Sequence, residues 1–507
     1  MTSTLRRALI ALLLAGMLTP VASAAPTSKK QNDSPAVRPR ETWDAIYLQG
    51  GKVGFARTTV SRVKEGNQSL VKLDGELKMT LKRFGQESSQ RMTYTSIETS
   101  DGKVLRFEGS ATLGAVPMTA RGRVEGEKMV ITLTTKGKTQ KVSLPWKEAY
   151  GGFFAEEQSL LARPMKPGER RTLVHLAPIF YQVMATEFVA KDYEKTRTLT
   201  GTVELLRIEA TTKLPTGGQL QSTMWTDRTG ATVKVSMAAL KQESFRTSRQ
   251  IAEAKAKGGK PIDFGFDNTV KLARPIRRPH RTKRVRYRVH LKGGDPAAAF
   301  VSGPSQQVKS IDKNTAEVTV FALRPDDKAA PAKADDDTPT DDDRKPNGLI
   351  QSDDDRVMAL AAKVLPDEKD VWTLAVALER SVHRAITAKN FSQAFATAAE
   401  VAESLEGDCT EHSVLLAAMA RSRGIPARVA MGLVYMEGRQ SLGYHMWNEV
   451  YVGGRWIPLD ATLGRGGIGG GHLKLATSNL KGASALNSFL PVATVLGRLK
   501  IEVIDVK

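Results

Sequence analysis

A single cysteine, Cys409, stands in the run Gly407-Asp408-Cys409-Thr410-Glu411-His412, just ahead of Val414, Leu415, Ala418 and Met419 at helical spacing. Gly407 punctuates a turn and Asp408 is a natural N-cap, so Cys409 falls in the first helical turn. Backbone N–H groups and the helix dipole there favour thiolate over thiol. Gly424 supplies a left-handed cap and Pro426 stops the helix; Ala427 to Tyr435 then reads as a strand. Tyr444 to Val452, the turn Gly453-Gly454 and Arg455 to Asp460 read as a hairpin, because a two-residue Gly-Gly loop between strand-like runs is a strong turn signal. Pairing Val452 with Arg455 and stepping outward sets Asp460 opposite Trp447 and Thr462 opposite His445. His445 and Asp460 then share one face as diagonal neighbours, about 7–8 Å apart at the backbone, which their side chains can bridge. Pro458, opposite Glu449, needs no N–H for this pairing.

Four blocks now carry a resemblance: Gly407 to His412, Arg423-Gly424-Ile425-Pro426-Ala427-Arg428, His445-Met446-Trp447-Asn448-Glu449-Val450, and Trp456-Ile457-Pro458-Leu459-Asp460-Ala461-Thr462. Together they resemble the bacterial transglutaminase-like family over about Asp353 to Leu480. The resemblance implies a papain-like α+β core with Cys409 as nucleophile, His445 as general base and then acid, and Asp460 fixing the imidazole tautomer. It also implies acyl transfer on peptide or isopeptide amides through a Cys thioester, with no cofactor. Attack by water makes such an enzyme a cysteine peptidase or amidase, the reading favoured for an exported bacterial member. Attack by an amine makes it a protein-glutamine crosslinking transglutaminase. A catalytically idle wall- or peptide-binding module is a different class, and a complete triad argues against it.

Two other patterns compete for the same residues. Cys409-x-x-His412 has zinc-ligand spacing that His445 or His472 could complete, but one cysteine in the chain is a poor zinc set. His412 reads better as a structural histidine on the Cys409 helix. The glycine-rich stretch Gly464 to Gly471 lacks the Gly-Lys-Ser/Thr of a phosphate loop and reads as a mobile rim beside the hairpin.

The elements around these residues predict a multidomain chain, an N-terminal all-β region followed by the α+β core. Residues 42–253 alternate in short strands, with hairpins at Val130–Thr134/Lys141–Leu144 and Thr202–Glu209/Gln219–Trp225 and a short helix near Glu156 to Leu161. A curved half-barrel fits this pattern, with a binding or spacing role. Residues 271–324 form a small β region in which Val285, Tyr287, Val289 and Leu291 alternate with basic residues. An acidic, flexible linker is expected at 325–348, the catalytic domain at 349–485, and a strand or tail at 486–507. Within that domain Ser352 reads as an N-cap ahead of Asp353 to Asp355, and Phe391 to Leu405 as helical.

Compartment and charge narrow the setting. Arg6 and Arg7, the apolar run Ala8 to Leu18, Pro20 and Ala22-Ser23-Ala24 read as a signal peptide over 1–24, followed by a disordered leader at 25–41. No segment has the roughly 20 apolar residues of a membrane span. The expected setting is periplasmic or extracellular, where a lone reactive thiol is exposed to oxidation. The formal net charge of +21 points to anionic wall polymers or surfaces as partners beside a protein or peptide substrate. Nothing matches a nucleic-acid-binding motif.

Overall fold

The computed structural model describes residues 38–507 apart from 84–85, 113–116, 136–137, 179, 215–218, 256–268, 328–337, 389–394 and 482–487. The expected signal peptide and most of the leader therefore lie outside the described residues, as do the tips of the two expected hairpins. No helix among the described residues is long and apolar enough to cross a membrane.

The chain divides into two compact units, one made of most of residues 38–262 and the other of residues 263–507. The first is a single 14-stranded antiparallel sheet. Its first strand, Arg40–Leu48, pairs with its last, Gln242–Thr247, so two meanders run outward from that seam. The strands alternate buried and exposed residues, as in Lys128–Thr135, so that one face is apolar. On that face Phe107 packs 4.8 Å from Phe153 and stacks 5.5 Å from Tyr181. Both expected hairpins form in this sheet. The short helix is Ala155–Ala162, in the crossover between the two edge strands.

The second unit holds two sheets and the helices that cover them. The strands Arg284–Leu291, Gln306–Asp312 and Thr315–Phe321 make a small sheet whose fourth member is the C-terminal strand Leu499–Val506. The segment expected as a C-terminal strand or tail thus supplies a strand to the sheet of the 271–324 region. Arg284–Leu291 keeps its apolar side chains buried and its basic ones outward. The other sheet is built on Ala427–Met436 and Ser441–Val452, flanked by Thr269–Lys271, Arg455–Leu459 and His472–Ser478.

Three expectations are corrected here. Residues 338–348 are built into this unit: Thr340 and Asp343 close a capping box, Asp343 is buried, and Arg421 donates to Lys345 O at 2.8 Å. Side-chain anchoring overrides the acidic composition that reads as a spacer. The helix expected to be capped by Ser352 begins two residues later, as Asp355–Ala362, because Asp354 accepts the Arg356 N–H at 3.1 Å. Of the stretch Phe391 to Leu405 expected to be helical, residues 391–394 lie outside the described residues, Phe395 to Thr397 are not helical, and the helix is Ala398–Ser404, set by a capping box between Thr397 and Glu400.

Candidate functional site

Helix Cys409–Ser422 starts where the sequence says it should, and its first turn is closely specified. Asp408 caps it by accepting Thr410 N–H at 2.8 Å, and Glu411 Oε2 reaches back to Asp408 N–H at 2.9 Å. Gly407 has φ +146°, and a Cβ there would lie 2.3 Å from the Glu411 Cβ, so the tight turn into the helix requires glycine. Glu411 Oε1 also accepts Ala396 N–H at 3.1 Å, fastening the preceding loop. Burial, followed by the nearby Asp408 charge, pushes the Glu411 carboxyl up to about 8. His412 donates Nδ1–H to Asp408 O at 2.6 Å and belongs to the same cap, as a structural histidine would.

The hairpin has the register that Gly453-Gly454 dictates: Val452 faces Arg455, Glu449 faces Pro458 and Asn448 faces Leu459. Regular pairing stops at Leu459, so the expected Asp460–Trp447 and Thr462–His445 pairs do not form as ladder steps. Asp460 still reaches His445, with Nε2 to Oδ2 at 2.9 Å, both fully buried. The carboxylate accepts, so Nε2 carries the proton. His445 Nδ1 is buried without a hydrogen-bond partner among the described residues. Helix Cys409–Ser422 packs on this strand, tied by Asn448 Nδ2–H to Ser413 O at 2.9 Å, while Ser413 Oγ donates to Cys409 O at 2.7 Å. Trp447 stacks on His445 with ring centroids 6.2 Å apart.

Two residues outside the expected set complete the arrangement. His472 Nε2 lies 3.1 Å from the same Asp460 Oδ2, and Thr462 N–H donates to Oδ1 at 2.9 Å. Burial alone would push the Asp460 carboxyl up, but the charges of and hydrogen bonds from His445 and His472 outweigh it and hold the group well below the usual carboxylate range. Glu379, on helix Val371–Ala385, accepts Asp460 N–H at 3.0 Å, Gly466 N–H at 2.6 Å and Gly467 N–H at 3.2 Å. Burial pushes its carboxyl up to about 7. A sequence signal for Glu379 exists: it is a lone carboxylate on the apolar stripe of Leu374, Ala375, Leu378 and Val382. His472 carries no comparable local signal.

The glycine-rich stretch is pinned, contrary to its reading as a mobile rim. Besides the bonds to Glu379, Gly470 N–H donates to Thr282 O at 3.1 Å, Gly471 N–H to Pro279 O at 3.0 Å, and Tyr287 O–H to Gly470 O at 2.7 Å. Cys409 is 1 % exposed and His445 and Asp460 0 %, so the reactive thiol expected from the sequence is closed to solvent in this structure. The ligand atoms of His445, Asp460 and His472 lie within 4.8 Å of one another, a span a metal ion could bridge. A metal there would replace both N–H···O bonds to Asp460. The candidate zinc pair Cys409 and His412 is not part of that group.

The family model for the transglutaminase-like superfamily matches residues 358–461, a stretch that contains Cys409, His445 and Asp460 but ends before His472. No curated protein matches the sequence. Among solved structures, the chain is similar to a candidate cysteine protease from Cytophaga hutchinsonii, at 16% identity and TM-score 0.27, over 45% of this chain and 85% of that one. It is also similar to a β-barrel-like domain of unknown function from Brucella abortus, at 11% identity and TM-score 0.30, over 41% of this chain and 95% of that one. A candidate protease from Parabacteroides distasonis is 13% identical with TM-score 0.19, over 69% of this chain and 65% of that one. By its caps, its hairpin register and the family model that matches it, the segment 358–461 is a transglutaminase-like core.

Proposed function

We propose that the second unit is a thiol-dependent acyl-transfer enzyme that acts on peptide or isopeptide amides, with Cys409 as nucleophile, His445 as base and acid, and Asp460 as the group that orients His445. The observation that carries this reading is the buried 2.9 Å bond from His445 Nε2 to Asp460 Oδ2, which leaves Nδ1 bare beside a helix that opens with the only cysteine. His445 Nδ1 takes the thiol proton, and Sγ attacks the amide carbonyl. The tetrahedral intermediate collapses as His445 returns the proton to the leaving nitrogen, giving a thioester and ammonia or an amine. Backbone N–H groups at the start of the Cys409 helix are suited to stabilise the oxyanion. Water, activated by the same imidazole, then releases the acid and regenerates the thiol.

We favour water over an amine as acceptor, which makes the enzyme a peptidase or amidase; crosslinking through an amine acceptor is the alternative. The same proposal places the mature chain outside the cytoplasm, with anionic surface polymers as partners for its basic surface. Exposed Arg277, Arg278, Arg281 and Lys283 are suited to such contacts. Incubating the protein with amide-rich peptides, with and without a free amine, and reading the products by mass spectrometry tests the reaction. Cleaved or deamidated products in both incubations support hydrolysis, and amine adducts support crosslinking. If neither product forms, or both persist in Cys409→Ala, the thiol reading is overturned.

A further inference from the structure

We propose that His472 is a positioning residue: its Nε2 shares Asp460 Oδ2 with His445 and thereby fixes the carboxylate and, through it, the His445 tautomer. This rests on the triad reading above and adds to it a residue beyond the segment that the family model covers.

A carboxylate only accepts, so the contacts at 2.9 and 3.1 Å require a proton on Nε2 of both histidines. With Thr462 N–H on Oδ1, Asp460 takes three N–H donors, and rotation of the carboxylate would break at least one of them. With the carboxylate held in this orientation, it meets His445 at Nε2 and accepts there, which places the ring proton on Nε2 and leaves Nδ1 without it. The His472 ring is itself held. It opens strand His472–Ser478 opposite Val434, its edge meets Trp447 at 5.2 Å between centroids, and buried His280 lies 5.7 Å away. Trp447 contacts both imidazoles, so the two rings and the carboxylate form one packed unit. The other titratable or charged groups around it are Glu379 on the Asp460 backbone, His383 Nδ1 at 3.1 Å from Ala461 O, Arg324 near Glu379, and Glu437 at 4.0 Å from His280.

The full-length protein can be tested by comparing His472→Gln with His472→Asn. A Gln amide extends to where Nε2 sits and still donates to Asp460, whereas the shorter Asn amide falls short; if the Asn variant does not accumulate, His472→Ser replaces it. The sign follows from Asp460. Its folded carboxyl titrates well below the ordinary 3.8, so it contributes stability that is present above 3.8 and lost as pH falls through the folded value. Asn at 472 removes part of that contribution. Its thermal midpoint should therefore fall below wild type near neutral pH, and the deficit should shrink in acid. His472→Gln should follow wild type at every pH. Reaction of Cys409 with iodoacetamide should slow about tenfold in His472→Asn and recover in His472→Gln. Equal, pH-independent deficits in the two variants would mean that His472 only fills space, and a wild-type His472→Asn would also overturn the proposal. The melting curves do not depend on turnover. An active Cys409→Ala protein would thus refute the triad reading while leaving the sharing of Asp460 to be decided by the thermal data.

Discussion

At the scale of single residues, the bond between His445 and Asp460 decides which imidazole nitrogen is left without a partner, and in the proposed reaction that nitrogen, Nδ1, is the base. Asp460→Asn would present an amide to three N–H donors, repelling at least one, and would favour the wrong tautomer of His445. We expect turnover to fall by about three to four orders of magnitude while the far-ultraviolet spectrum stays native. A wild-type rate in that variant would show that another group orients the imidazole. Cys409→Ala should abolish turnover and leave the melting temperature nearly unchanged, since alanine suits the first turn of a helix. Substantial activity in the folded variant would remove Cys409 from the chemistry. Because the thiol is buried, its alkylation should require opening, and sub-denaturing urea should speed the reaction before global unfolding begins. An alkylation rate flat in urea up to the unfolding transition would mean that the cover over Cys409 is already open in solution.

At the scale of elements, the start of the Cys409 helix is specified by three residues acting together: Gly407 by its φ, Asp408 as cap and Glu411 as the other half of the capping box. Gly407→Ala introduces a Cβ into the Glu411 side chain at a positive φ, and we expect a loss of about 1–3 kcal/mol together with displacement of Cys409. Urea denaturation measures the first effect and alkylation kinetics the second; a variant unchanged in both would show that the turn has another conformation. The helix that carries Glu379 acts in a comparable way on the opposite side of the site. Its carboxylate gathers the backbone of Asp460 and the glycine-rich stretch through three N–H bonds. That stretch contains glycine because other residues press against it: a Cβ on Gly469 would lie 2.5 Å from the His280 backbone.

At the scale of the whole molecule, four buried carboxyl groups among the described residues are raised above the ordinary 4.5, each chiefly by burial: Glu98 and Glu379 to about 7, Glu411 to about 8, and Glu157 in the same direction. Between 4.5 and those values the folded protein holds protons that the unfolded chain has released, so stability falls as pH rises through that window. We therefore expect a higher thermal midpoint near pH 5 than near pH 8. In Glu98→Gln combined with Glu379→Gln the difference should narrow, because two of the four sources are gone. A midpoint that rises from pH 5 to pH 8 in the wild type would show that these carboxylates are stabilised where they lie. Asp460 does not oppose this trend, since it titrates below the window.

The amino-acid sequence determined those parts of the molecule whose instructions lie within a few residues of each other. Gly-Asp-Cys-Thr-Glu specifies a helix start because cap, turn and first-turn acid interact across three residues, and Gly453-Gly454 fixes a hairpin register because the turn leaves one way to pair its flanks. The same local reach explains the alternating strands of both β regions. Only the tertiary structure decided what depends on distant partners. The seam between Arg40–Leu48 and Gln242–Thr247, and the joining of Leu499–Val506 to Arg284–Leu291, pair strands about two hundred residues apart, where many apolar faces could compete. His472 reaches Asp460 because its strand lies on Ala427–Met436, which itself pairs with the His445 strand. Glu379 meets the Asp460 backbone because a helix some eighty residues upstream packs there. Burial of the thiol is likewise a property of everything folded around it: short-range backbone preferences place Cys409 at a helix start, but only long-range packing decides whether water can reach it.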